Sequence, residues 1–266
     1  MLVYGTRELM GHTMTTDIKK SAIMILAGFS LGFVFLITDG STAFAQYETA
    51  FFLEKLLSID NLAVIATLFT AFKATTAEQH KALNYGIAGA IIMRLIFILI
   101  GSEALERYEF MSIIFGIILG YSGYKMMSSK HDDTEPALVE KIGRRFPNMS
   151  KILMLIIAVE LTDIVFAVDS VPAVLSVTDN RIIAFTSNIM AILGLRALFF
   201  VLKDGMDKIK YLSQTLAVVL VFVGFKMAVS HWMKIGELMN ISIIFSLFAI
   251  GILFSLKPSR TQKSIT

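Results

Sequence analysis

Apolar residues gather into eight runs along this chain, at 21–38, 49–72, 82–101, 110–128, 152–178, 182–202, 211–230 and 239–256, with short polar turns between them. A helix needs about 20 such residues to cross the hydrocarbon core of a bilayer. The pattern predicts an all-α, polytopic integral membrane protein with about eight transmembrane helices. One longer connector, 129–151, carries Lys130, His131, Asp132, Asp133, Glu135, Glu140, Lys141, Arg144 and Arg145 and reads as a solvated loop.

The first run admits two readings. Lys19-Lys20 before it and Ala43-Phe44-Ala45 after it have the layout of a secretory signal with an A-x-A cleavage site. An uncleaved first helix is the other reading, favoured by the long N-terminal arm. Cleavage would leave seven spans and the same orientation downstream.

Composition agrees with the runs. Hydrophobic residues make up 56% of the 266 residues and charged residues 17%, against about 25% charged in ordinary soluble chains. An ordinary cytosolic enzyme is excluded. The net charge of +3 does not point to nucleic acid, because the basic residues lie mostly in the turns. Sixteen Lys and Arg fall on one side of the spans and three, Arg107, Arg181 and Lys234, on the other. Cytoplasmic loops carry that excess, so both termini are expected in the cytoplasm of a multi-pass protein of a bacterial-type inner membrane. The chain has no cysteine, which removes disulfides, thiolate metal ligands and a thiol nucleophile.

An internal repeat organises the spans. Asp60-Asn61-Leu62-Ala63-Val64 recurs as Asp169-Ser170-Val171-Pro172-Ala173-Val174, and in each copy an acid, Glu54 or Asp163, lies six residues earlier. Arg94 and Arg196 correspond in the next spans, and Gly123-Tyr124-Lys125-Met126 matches Gly224-Phe225-Lys226-Met227 in the third. Three spans per copy is an odd number, so the second copy enters the membrane from the opposite side, which makes two inverted three-helix repeats. Such folds place binding sites near the midplane at the repeat interface. The expected division is 1–45, an N-terminal arm with the first helix or a signal-like segment; 46–128, repeat one; 129–151, the loop; 152–230, repeat two; and 231–266, the last helix and a cytoplasmic tail.

Five acids fall inside the runs: Glu54, Asp60, Glu160, Asp163 and Asp169. A charge at the bilayer centre costs about 2.5–3.5 kcal/mol on insertion scales, which makes each a candidate for ion or proton binding. Glu54, Ser58 and Asn61 share a helix face, as do Asp163, Ala167 and Ser170, while Asp60 and Asp169 lie about 120° away. Pro172 removes the helical donor to the Val168 carbonyl, so a helix break beside Asp169 is expected. Oxygen ligands suit Mn²⁺, Mg²⁺ or Ca²⁺, and the four histidines lie outside the spans. A monovalent cation or a proton is not excluded by these ligands. Arg94 and Arg196 are either fixed partners of the acids or counter-ions that neutralise them when no cation is bound. Asn188 is either an auxiliary ligand or a packing hydrogen bond between helices. Lys125 and Lys226 are explained by snorkelling. The glycines at 86, 89, 116, 120, 123, 194 and 224 read as close-packing positions, not phosphate loops.

Leu53-Glu54-Lys55-Leu56-Leu57-Ser58-Ile59-Asp60-Asn61 and Glu160-Leu161-Thr162-Asp163-Ile164-Val165-Phe166-Ala167-Val168-Asp169-Ser170-Val171-Pro172-Ala173 resemble the two signature motifs of the TerC family of integral membrane proteins, close to its Alx branch. Thr186-Ser187-Asn188, Leu193-Gly194-Leu195-Arg196-Ala197 and Gly224-Phe225-Lys226-Met227 resemble its later motifs, and the likeness spans roughly 43–256. The resemblance implies metal-ion homeostasis, chiefly Mn²⁺ export, with tellurite resistance as the family's historical name. It places metal ligands at Glu54, Asp60, Asn61, Glu160, Asp163, Asp169 and Ser170. Compared with longer Alx-like members, this chain has one fewer apparent N-terminal span.

Two functions follow as expectations. One is a secondary transporter moving Mn²⁺, or Ca²⁺ or Mg²⁺, outward in exchange for protons, with no resident cofactor and no catalysis. The other is a membrane accessory protein that assists metal loading or insertion of exported proteins. The expected partners are the bilayer, the divalent ion and protons, without nucleic acid. Protein partners and oligomeric state are not legible.

Overall fold

A computed structural model describes residues 2–128, 149–193, 199, 211–230, 232, 233 and 235–256, with side chains except at 2–18, 20, 59, 60, 63, 212, 237, 238, 252, 255 and 256. Among the described residues every regular element is an α-helix. They are α1 (Leu2–Thr38), α2 (Ser41–Ala71), α3 (Thr76–Arg107), α4 (Met111–Ser128), α5 (Lys151–Leu175), α6 (Arg181–Leu193), α7 (Leu212–Val229) and α8 (Glu237–Leu256). One helix therefore covers each predicted apolar run, although most of the 129–151 loop and the end of the sixth run lie outside the described residues. Ser21–Thr38 and Thr76–Arg107 are long and apolar enough to cross a bilayer by length and composition alone.

The helix ends follow local chemistry. Gly40, at φ 90°, turns α1 into α2 in a conformation that other residues rarely adopt. Thr75 begins α3 with a capping box, in which its hydroxyl accepts from the Glu78 amide while its own amide donates to the Glu78 carboxylate at 2.7 Å. Lys151, at the start of α5, donates to that carboxylate at 2.9 Å and to the Lys73 carbonyl at 3.0 Å, tying α5 to the entrance of α3. Ser150 caps α5 by accepting from the Leu153 amide.

α5 is continuous through Pro172, so the expected break beside Asp169 does not occur. Proline removes one hydrogen bond, and the last turn closes with the Ser176 amide donating to the Pro172 carbonyl at 2.9 Å. The Val168 carbonyl still loses its helical donor, one residue from Asp169.

Polarity is distributed inside out. Arg94, Glu54, Ser58, Ser187 and Asn188 have no solvent-exposed surface, whereas Leu26, Ile37, Ile100 and Leu253 present 62–85% of theirs to the surroundings. Broad exposed apolar surface of this kind marks a membrane or protein contact.

The helices pair in a regular way. α2 packs on α6 and α5, α3 on α5 and α6, and α4 on α7, while α1 lies against α2 and α6, and α8 against α7 and α2. The α4–α7 crossing brings backbones into contact. A Cβ on Gly116 would sit 2.5 Å from the Gly224 carbonyl oxygen, a Cβ on Gly224 2.6 Å from that of Gly116, and one on Gly123 2.6 Å from that of Ala217. Small residues at such crossings permit close van der Waals packing without a hydrophobic driving force from water. The close-packing reading is met at these three glycines. Gly120's own Cβ position opens onto empty space, and Gly194 lies outside the described residues.

Candidate functional site

Four helices converge on one guanidinium. Arg94 of α3 is fully buried, and its Nη1 bonds the Glu54 carboxylate of α2 and donates to Asn188 Oδ1 of α6 at 3.2 Å. Nη2 lies 3.5 Å from Asp163 Oδ1 of α5. Asn188 Nδ2 donates to the second Glu54 oxygen at 3.1 Å, and Ser58 Oγ donates to the first at 3.3 Å. Ser58 reaches Glu54 because residues four apart stack on one helix face. Asn188 thus uses both ends of its amide and links α2, α3 and α6.

The arrangement is not closed. Two carboxylates face one arginine, a formal excess of one negative charge when all are ionised. Asp163 Oδ2 and Arg94 Nε are buried with no hydrogen-bond partner. Buried polar atoms are normally satisfied, and these two stand out as exceptions within the network. Breaking such a pair by removing one partner costs about 3–5 kcal/mol, because the other charge stays buried.

The remaining predicted residues are distributed around this centre. Glu160 rests against α3, its carboxyl where a Cβ on Gly89 would be, which explains the glycine there. Asp169 faces α4 instead, accepting from Ser122 Oγ at 2.7 Å. Ser170 is buried with an unpartnered hydroxyl, and Asn61 is buried on the Glu54 face. The side chain of Asp60 and the whole of Arg196 lie outside the described residues. Among the described residues no three His, Asp or Glu side chains converge as a ready metal cage.

Three side chains, Lys55, Glu48 and Ser122, went unrecognised in the sequence, and a fourth, Lys226, has a partner that its reading did not include. Lys55, beside Glu54, is 7% exposed and donates to the Ala191 carbonyl of α6 at 2.6 Å, with its ammonium 5.6 Å from the Phe51 ring. Its place within the first motif was the available signal. Glu48 is buried one residue before the predicted span, where a hydropathy boundary hid it. Ser122 gave no sign of its partnership with Asp169. Lys226 does not simply snorkel: it donates to the Ser176 carbonyl at the end of α5 at 2.5 Å.

Comparisons with known proteins agree with the motifs. The family profile described as "Integral membrane protein TerC family" matches residues 39–263. The thylakoid membrane protein TERC of Arabidopsis thaliana chloroplasts is 34% identical, over 92% of this chain and 70% of the relative. Alx of Escherichia coli (strain K12) is 31% identical, over 94% of this chain and 87% of its own length. A membrane protein of Myxococcus xanthus is 36% identical, over 81% and 74%. No solved structure matches the chain. On the profile, the coverage of these relatives and the two acidic motifs, the chain belongs to the TerC family of integral membrane proteins.

Proposed function

We propose that this protein is a secondary transporter that exports Mn²⁺, or a related hard divalent cation, in exchange for protons. The observation that carries the reading is the buried meeting of Glu54 from the first half and Asp163 from the second on a single arginine. In this reading Arg94 is a tethered stand-in for the cargo: it neutralises both acids when the site is empty and yields them to a dication. Asp169, with Ser122 and the freed Val168 carbonyl nearby, is a second oxygen station along the path. Asp60, Asn61, Glu160, Ser170 and, by repeat equivalence, Arg196 complete the acidic and counter-ion set.

The inverted repeat is part of the proposal. Exchange of the halves maps α2 onto α5, α3 onto α6 and α4 onto α7, so the α2–α6 contact becomes α5–α3 while α2–α5, α3–α6 and α4–α7 map onto themselves. The Gly116–Gly224 approach likewise maps onto Ala217–Gly123 at the repeat's 101-residue offset. Both relations support alternating access by rocking one half against the other around a fixed site. We read eight crossings with both termini cytoplasmic from the distribution of basic residues. Alx carries a name that refers to redox modulation; within this chain no cysteine is available for thiol chemistry.

Mn²⁺ uptake into everted membrane vesicles, with and without an imposed pH gradient, tests the reading. Wild type should accumulate Mn²⁺, and Asp163→Asn and Asp169→Asn should lose uptake at equal membrane abundance. Dependence on the gradient names the proton as the exchanged ion. Absence of wild-type uptake of Mn²⁺, Ca²⁺ and Mg²⁺ in competent vesicles overturns the proposal and moves the weight to the accessory role.

A further inference from the structure

Glu48 is an acid that the cation site leaves unused. It lies on α2 six residues nearer to Gly40 than Glu54, about 9 Å along the helix. It is 4% exposed, and neither carboxyl oxygen has a hydrogen-bond partner. α1 is built around it: the carboxyl occupies the place that a Cβ on Gly32 would take, so glycine leaves the room it fills. The neighbouring Tyr47 hydroxyl is already engaged, donating to the Gly28 carbonyl at 2.9 Å.

Among the described residues no cation is placed to hold a carboxylate there, and on α7, which also touches α2, Lys226 is bound to the Ser176 carbonyl. Between Ser21 and Thr38, α1 carries no charged residue, and Asp39 beyond it accepts from the Thr38 hydroxyl. α6 carries none after Arg181, whose guanidinium is bound by Glu103 and Glu106. α8 carries none between Leu238 and Leu256. On α5, Asp163 and Asp169 are turned to Arg94 and Ser122, and Glu160 to Gly89. Lys55 shares the Glu48 face of α2 seven residues on, about 10 Å away along the axis, and spends a donor on Ala191. A carboxyl buried without a cation or a donor is stable as the neutral acid, because the ion would be desolvated without compensation.

From this geometry we propose that Glu48 is the proton-carrying carboxyl of the transport cycle, physically separate from the acids that bind the cation. The inference rests on the transporter reading and names its coupling residue. With α1 and α2 together the O–H bond of Glu48 is kept. When the helices part and water enters, that bond breaks, the proton passes to water and the carboxylate remains hydrated until reprotonated from the other side.

The full chain in lipid vesicles allows a direct test by infrared difference spectroscopy across pH. Wild type should show the C=O stretch of a buried protonated carboxyl, which Glu48→Gln removes and Glu48→Asp shifts in frequency. In the same vesicles Glu48→Gln should abolish the response of Mn²⁺ uptake to the pH gradient. A protonated-carboxyl spectrum unchanged in both variants overturns the inference, as does an undiminished gradient response in Glu48→Gln. Failure of the transporter reading is distinguishable: it appears as a wild type without cation uptake, while the infrared band reports on Glu48 with no transport required.

Discussion

At the scale of the residue, Arg94 is the side chain on which the buried network turns. Its guanidinium touches Glu54, Asn188 and Asp163 on three other helices. Arg94→Ala should therefore destabilise the protein by about 3–5 kcal/mol, since it strands two acids in the interior. Glu54→Gln in the same chain should recover part of that loss, with a coupling of about 0.5–3 kcal/mol in the double-mutant cycle of Arg94→Ala and Glu54→Gln. Denaturant midpoints of the purified protein in detergent would measure it, and additive losses would show that the two do not act as a unit. Glu54, Asp163 and Arg94 were legible as candidates, because charges in apolar runs announce themselves. Their meeting was not, since sequence separation says nothing about which side chain turns toward which helix.

At the scale of the element, side-chain caps fix where α3 and α5 begin, while Pro172 does not stop the helix that contains it. Glu78 serves twice, closing the α3 capping box and binding Lys151 of α5. Those contacts, the Lys151 hydrogen bond first and the Thr75 backbone next, lower its carboxyl from 4.5 to about 2. A carboxyl lowered on folding stabilises the native state above its unfolded pKa and loses that contribution as pH falls through its folded one. The tie should thus be complete above about 4.5 and disappear toward about 2. The stability difference between wild type and Glu78→Gln, followed by thermal unfolding through this window, should shrink to nothing at its acid end. Loss of helix at Pro172 was a reasonable reading of a proline in isolation. A single missing donor near the end of a packed helix does not outweigh the contacts of Val171, Ala173 and Val174 in the core.

At the scale of the whole molecule, the α4–α7 crossing joins the two halves through backbone contact. Gly224→Ala should destabilise by about 1–3 kcal/mol, because the added carbon meets the Gly116 carbonyl and Gly120 backbone, which have no rotamer in which to retreat. Gly120→Ala, on the same helix as Gly116, adds its carbon to open space and should be neutral or stabilising by up to about 1 kcal/mol. Equal effects of the two substitutions on the unfolding midpoint would contradict the crossing described. Both glycines were legible as packing positions, yet their opposite tolerance follows only from what lies across from each.

Amphipathic logic runs in reverse here, and that is why so much was readable from one dimension. Apolar runs long enough for a bilayer declare helices whatever their partners, and acids interrupting them declare candidate sites, because both follow from the cost of placing groups in hydrocarbon. The order of helices and the family motifs were accordingly present in the chain itself. Only the tertiary structure decided that Glu54 and Asp163 share Arg94 while Asp169 turns to Ser122, and that Glu48 is enclosed against Gly32. Helix rotation and crossing set those partners, and packing of the whole bundle sets both.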